Sequence, residues 1–270
     1  MSSSVIFLAL VLVIAKPFPQ SLTPVSQSHA HKPLVLPKPA VEPTAGTWKY
    51  KSRDDIPGNP DAVNTYSTFS FTIKDDGGSW TVTTAWEFPE GPVTDISTLD
   101  KGTLVLRKES FKHFLHPEQP WKPVAVNLDF TANKVSGIMK YVDRQEKPVA
   151  VDLSGPLFSG LTEITVACLP LADGYSTSFR YFDIERLALN PHAPDKEKLL
   201  ELNVAGREPV TVPAGTFDSW KVELTSPDRS YKETVWIAKD SRVPVKTFTV
   251  ITWKKGDRKG TASTTTEMVP

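Results

Sequence analysis

Between Asn64 and Phe88, two segments of alternating apolar and polar residues flank Asp75-Asp76-Gly77-Gly78. Phe69, Phe71 and Ile73 fall on one side of an extended chain, and Ser70 and Thr72 on the other. After the turn, Trp80, Val82, Thr84, Trp86 and Phe88 share a face opposite Thr81, Thr83, Ala85 and Glu87. Strand side chains alternate with a period of two, so this stretch specifies a half-buried antiparallel hairpin. Variants of the pattern recur almost to the C-terminus. Candidates are Thr103–Phe114, Lys122–Phe130, Lys134–Val142, Pro148–Leu153, Tyr175–Ile184 and Leu199–Val204. Phe217–Thr225, Lys232–Ala238, Pro244–Trp253 and Thr261–Met268 complete the series. Turn residues separate them, as in Lys255-Gly256-Asp257-Arg258-Lys259-Gly260. The expected fold is all-β and mainly antiparallel: a curved open barrel or half-barrel of about a dozen strands with one short helix.

That helix is expected within Pro156–Pro170, where Leu157, Leu161, Ile164 and Cys168 recur at helical spacing. Proline suits its first turn, and Pro170 stops it. A buried strand over Ile164–Leu169 is the rival reading.

Three regions are expected. Residues 1–15 contain the apolar run Val5–Ala15, which has signal-peptide length and is too short to span a bilayer. It lacks the usual positively charged residues before it. Cleavage is expected after Val13-Ile14-Ala15 or Ser28-His29-Ala30. Residues 16–45 carry seven of the chain's prolines between Pro17 and Pro43 and read as a semi-extended linker. The β domain then occupies 46–270.

Composition narrows the function. Lys plus Arg number 31 and Asp plus Glu number 31, so no net charge draws the chain to nucleic acid or anionic lipid. The single cysteine, Cys168, excludes an intramolecular disulfide, and no cysteine stands just after the apolar run to carry a lipid. Cys168 lies between Val166-Ala167 and Leu169 and reads as a buried apolar residue.

No catalytic constellation emerges. His113 and His116 end a strand, where an odd spacing points them to opposite faces, and no further ligands accompany them. Ser154 and Ser159 lack a nucleophile elbow. Asp54-Asp55 and Asp75-Asp76 read as solvated turn residues. The basic residues Lys254, Lys255, Arg258 and Lys259 read as a charged hairpin tip. No cofactor or metal is expected.

The seven tryptophans and 13 phenylalanines are the stronger signal. They either fill a core or line the concave face of a curved sheet. On the second reading, Phe69, Phe71, Trp80, Trp86, Phe130 and Trp220 line a groove for an apolar ligand. Strands apolar on both sides, such as the one carrying Val245, Phe248, Val250 and Ile251, fit either account.

Several segments carry a family resemblance. They are Leu99-Asp-Lys-Gly-Thr-Leu104, Leu128-Asp-Phe130, Val135-Ser-Gly137, Cys168-Leu-Pro-Leu-Ala-Asp-Gly-Tyr175, Gly206-Arg-Glu-Pro-Val210, Val212-Pro-Ala-Gly-Thr-Phe217 and Thr234-Val-Trp-Ile-Ala-Lys239. In this order they resemble an uncharacterised bacterial periplasmic domain family of unknown function. That family is similar in architecture to LolA/LolB-like half-barrels, which carry lipidated cargo. The resemblance implies a periplasmic or secreted, non-enzymatic protein and supplies no established functional residues. The leading expectation is an exported protein that binds a hydrophobic small molecule or lipidated partner in a concave groove. It would touch a membrane without being anchored in one, with the helix as lid or plug. The alternatives are an envelope interaction module with a filled core, or a hydrolase whose carboxylates do not converge visibly in the sequence.

Overall fold

The computed structural model describes residues 36–55, 66–88, 91–112, 123–141, 145–184, 187, 197–255 and 258–270. The apolar run near the N-terminus, His113, His116 and Trp121 lie outside the described residues. Among the described residues, fourteen strands form one antiparallel sheet that stays open. The first eight are β1 (Gly46–Asp55), β2 (Tyr66–Asp75), β3 (Ser79–Phe88), β4 (Gly91–Asp100), β5 (Leu106–Lys112), β6 (Pro123–Phe130), β7 (Lys134–Tyr141) and β8 (Glu146–Asp152). After helix α1 (Thr162–Cys168) come β9 (Ser176–Phe182), β10 (Glu197–Val212), β11 (Gly215–Thr225), β12 (Tyr231–Ala238), β13 (Pro244–Lys255) and β14 (Arg258–Val269). Consecutive strands are neighbours throughout, except that β1 pairs with β14 and leaves β8 and β9 at the two ends of the sheet. The all-β half-barrel expectation holds, with two strands more than a dozen.

Alternation sorts the residues as the sequence indicates. On β2 and β3, Phe69, Phe71, Ile73, Trp80 and Val82 are buried, and Lys74 and Glu87 are exposed. Their turn closes with Gly77 at φ 82° and its N–H donating to Asp75 Oδ1 at 2.8 Å. Lys101 Nζ holds the same carboxylate at 2.6 and 2.8 Å.

Four departures have physical causes. Strand β4 was not expected. Its inward set is Val93, Asp95, Ser97 and Leu99, so polar residues hide the apolar phase. Strand β5 starts at Leu106, because Leu104 turns the chain at φ 57° and its N–H bonds back to Asp100 O at 2.8 Å. Strand β10 continues to Val212 through a register shift at Val204/Gly206, a bulge that an alternation count reads as an end. Asp54 is not a turn residue. It is the buried penultimate residue of β1, and its Oδ1 accepts from Thr264 Oγ1 at 2.7 Å.

The helix forms where expected but is shorter. Leu157 and Phe158 are claimed by strand-like pairing: Leu106 N–H donates to Leu157 O at 2.9 Å, and Phe158 N–H to Arg180 O at 3.0 Å. At the other end Leu169 is extended (ψ 163°) before Pro170, as the proline ring requires of the residue preceding it.

Gly137, inward on β7, marks where two backbones press together. A Cβ there would sit 2.0 Å from Asn127 O and 2.9 Å from the Leu128 Cα. Gly137→Ala is therefore expected to destabilise the fold by about 1–3 kcal/mol in urea unfolding. Gly78→Ala, with nothing within 4 Å of its Cβ, should shift the midpoint by about 0.5 kcal/mol or less.

The plugged interior as candidate functional site

The concave face of the sheet is occupied by the chain itself. Between β8 and β9, residues 153–171 cross the open side and turn inward. Leu157, Phe158, Ile164, Val166, Leu169 and Leu171 are all buried there. Every residue of α1 is buried except Glu163, which is half-buried. Phe158 N–H and C=O both bond to β9, to Arg180 O and from Phe182 N–H. Its ring meets Phe179 edge-on at 5.5 Å. A polar clasp stands beside this crossing: Glu197 accepts from the Ser154 backbone N–H at 2.8 Å and lies 3.8 Å from Arg180.

A strap closes the C-terminal end of α1. The N–H groups of Ala40 and Val41 donate to Cys168 O at 2.8 and 3.2 Å. Glu42 accepts from Trp80 Nε1 at 2.5 Å, and Thr44 Oγ1 donates to Ser241 O at 2.6 Å. Arg242 donates to the carbonyls of Ala167 and Leu169 at 3.4 and 3.2 Å. These contacts satisfy carbonyls that a helix end leaves without partners. The last residues of the proline-dense stretch thus pack on the sheet's interior segment. A pocket lined by Pro43, Trp48, Tyr50, Ile164, Cys168 and Arg242 holds about 10 Å³, room for one water at most.

Of the six aromatic residues singled out from the sequence, Phe69, Phe71, Trp80 and Phe130 belong to one apolar core, and Trp86 and Trp220 pack against it. Phe69, Phe71 and Trp86 gather near Tyr50. Phe69 lies 5.2 Å from Phe71, 5.8 Å from Trp86 and 5.4 Å from Tyr50, centroid to centroid. Trp80 lies beneath Lys101, whose Nζ is 5.3 Å from its ring. Phe130 packs edge-on against Phe182 at 4.9 Å. Trp220 lies under the Arg207 guanidinium at 5.4 Å, and its buried Nε1 has no hydrogen-bond partner.

The sequence reading missed a set of inward carboxylates. Glu109, only 9% exposed, accepts from Ser97, while its Oε2 is buried without a partner. Ser97 Oγ in turn lies 2.9 Å from Ser159 Oγ on the interior segment. Burial, reinforced by the charge of Asp95, pushes the Glu109 carboxyl up to about 8. Glu233 is equally buried. Its Oε2 accepts from Tyr231 Oη at 2.9 Å and its Oε1 from Thr249 Oγ1 at 3.4 Å, with the Thr162 hydroxyl of α1 a third partner. Burial and the charge of Glu163 on α1 push it up to about 8. Glu163 is itself raised by burial. Glu233 falls in phase with Val235 and Ile237, so a carboxylate in the apolar phase of a strand was the signal available.

This arrangement holds protons rather than presenting charges. The Cys168 thiol is also pushed up, to about 12, by burial and then by Glu42, with Arg242 opposing. That thiol is a poor nucleophile. Of these carboxylates, Glu233 meets α1 through the Thr162 hydroxyl, and Glu109 meets the segment before it through Ser97 and Ser159. Among the described residues no three or more His, Cys, Asp or Glu side chains group as a metal ion requires.

The pH dependence follows from Glu109. The folded state keeps a proton that the unfolded chain releases near 4.5. The stabilisation is complete below that value and is lost as pH rises toward about 8. Glu109→Gln should leave stability near pH 5 almost unchanged. Near pH 9 it should raise stability by about 1–3 kcal/mol, read by thermal or urea unfolding. Equal effects at both pH values would contradict this.

A family model for proteins of unknown function, DUF3108, matches residues 61–263. No curated protein matches the chain. A solved structure with the same overall fold is the crystal structure of a beta-barrel-like protein of domain of unknown function DUF1849 from Brucella abortus. It is 12% identical, with a TM-score of 0.50 over 85% of this chain and 98% of that chain. With most of its length matched by the model, and with the barrel-like sheet described above, the chain belongs to the DUF3108 family of proteins of unknown function.

Proposed function

We propose that this chain is an exported, non-enzymatic interaction module of the cell envelope, a barrel-like domain whose own polypeptide fills its concave face. One observation carries the reading. Residues 157–171 lie where an apolar ligand would sit, and the pocket beside them holds about 10 Å³. Pockets for small molecules are usually hundreds of Å³. The aromatic rings near Tyr50 spend part of their surface on one another, which stabilises the domain. Contact with partners would then fall to the rim and the outer surface. The apolar run at the N-terminus supports export to the periplasm or beyond.

A second reading has its own support. The segment filling the interior is docked partly through buried carboxyl and hydroxyl groups, which an invariant core would replace with hydrocarbon. Withdrawal of that segment would uncover Tyr50 and Ile73, which line one pocket with Ile164 and Cys168, for a hydrophobic ligand or lipidated partner.

Native mass spectrometry of the protein purified without detergent separates the two. The filled-core reading predicts a single apo mass and no enhancement of an apolar dye near pH 6. A co-purified fatty acid or lipid, or dye binding at about one per chain, would overturn it in favour of the cargo reading.

A further inference from the structure

Residues 36–45 belong to no strand or helix, yet they follow a fixed course over the end of α1. The contacts that seat them are those of a bound peptide. The N–H groups of Ala40 and Val41 converge on Cys168 O at 2.8 and 3.2 Å. Trp80 Nε1 donates to Glu42 Oε2 at 2.5 Å, and Thr44 Oγ1 donates to Ser241 O at 2.6 Å. Pro43 alone in the run is buried, where it lines one pocket with Trp48, Tyr50, Ile164 and Arg242. Ala40, Val41 and Glu42 are exposed on their outer side. The strap is therefore held by four polar contacts and one proline in an aromatic-walled slot. Recognition of proline-bearing extended peptides uses the same elements.

The surface beneath comes from β3, α1 and the turn between β12 and β13. Three consecutive carbonyls end the helix. Arg242 donates to the first and third, Ala167 O and Leu169 O, at 3.4 and 3.2 Å, and leaves Cys168 O to the strap. To do so Arg242 holds φ 56°, which a residue other than glycine adopts only where its surroundings require it. The strap is constrained in its turn. Pro39 and Pro43 fix their own φ, and each pushes the residue before it toward an extended conformation. A segment so restricted loses little freedom on docking. Only Ala45 separates Thr44 from β1, so the strap meets this surface at an effective concentration of about millimolar or more. A competitor from another chain needs the same chemistry: two successive main-chain donors, then a carboxylate beside a proline.

We infer that the groove between the end of α1, Trp80 and the β12–β13 turn is a peptide-binding site, occupied here by residues 40–44 of the chain itself, and that it takes an extended, acidic, proline-containing segment of a partner protein when the strap lifts. This rests on the interaction-module reading and deepens it, by giving that module a surface and its partner a chemistry.

Fluorescence anisotropy tests the site on the full chain, with a labelled peptide Pro-Lys-Pro-Ala-Val-Glu-Pro-Thr-Ala that copies residues 37–45. A double variant, Glu42→Ala with Pro43→Gly, weakens the strap in place. It should bind the peptide one to one, at least about tenfold more tightly than the wild-type chain, whose own strap competes. The same peptide with glutamine in place of its acid should bind at least about fivefold more weakly, because a hydrogen bond to a charge is lost. Maleimide labelling of Cys168 should quicken in the double variant and slow again when the peptide is added. The site is overturned if the double variant fails to bind at about 1 mM peptide, if it binds no better than the wild-type chain, or if acid and amide peptides bind alike. Should the double variant fail to fold, Glu42→Gln takes its place in the same comparisons. Immediate labelling of Cys168 in the wild-type chain would remove the filled-core reading, whereas slow labelling there without peptide binding by the variant removes the groove alone.

Discussion

The structure depends on one constraint. A sheet of fourteen strands that alternates apolar and polar residues commits one side to burial, yet its two outermost strands do not meet. An open sheet cannot cover its own concave side, and exposed apolar area costs roughly 25 cal/mol per Å². The chain resolves this by routing the connection between those outermost strands inward. Leu157, Phe158, Ile164, Val166 and Leu169 supply the missing apolar volume. Two main-chain bonds from Ala40 and Val41 then hold down the far end of the helix. Sheet, plug and strap are one solution to a single unmet surface.

How far that solution was legible depended on which residues announced their phase. The β2–β3 hairpin was plain because Phe69, Phe71, Trp80 and Val82 repeat without interruption between turn residues. The helix was visible because Leu161, Ile164 and Cys168 keep its period. Strand β4 was hidden because Asp95 and Ser97 hold inward positions where an alternation count looks for apolar side chains. The second half of β10 was hidden by the bulge at Gly206. The first failure comes from polar residues at inward positions, and the second from a shift of phase within one strand.

The same polarity explains what was missed at the site. Aromatic count pointed to Phe69, Phe71, Trp80, Trp86, Phe130 and Trp220 as one lining. Phase along a strand cannot say how far apart two strands lie around a curved sheet. The structure puts all six in or against one apolar core, with Phe69 in ring contact with Phe71 and Trp86. Glu109 and Glu233 could be read only as charged residues in strands, because desolvation is a property of the closed fold. Glu163 needed the helix to be docked before it had a neighbour at all. A carboxyl that belongs to the core by position but to water by chemistry is where this fold departs from a plain hydrophobic filling.

The central claim, that the interior is filled by the chain's own helix, is tested most directly by the one thiol. Cys168 sits in the last turn of α1, buried, beneath the strap. A maleimide or disulfide reagent added to the native protein near pH 6 should react at a rate set by opening of the segment, many orders below that of a free thiol in the denatured chain. Immediate, stoichiometric labelling under native conditions would mean that α1 is not seated in the sheet, and the filled interior would not exist in solution.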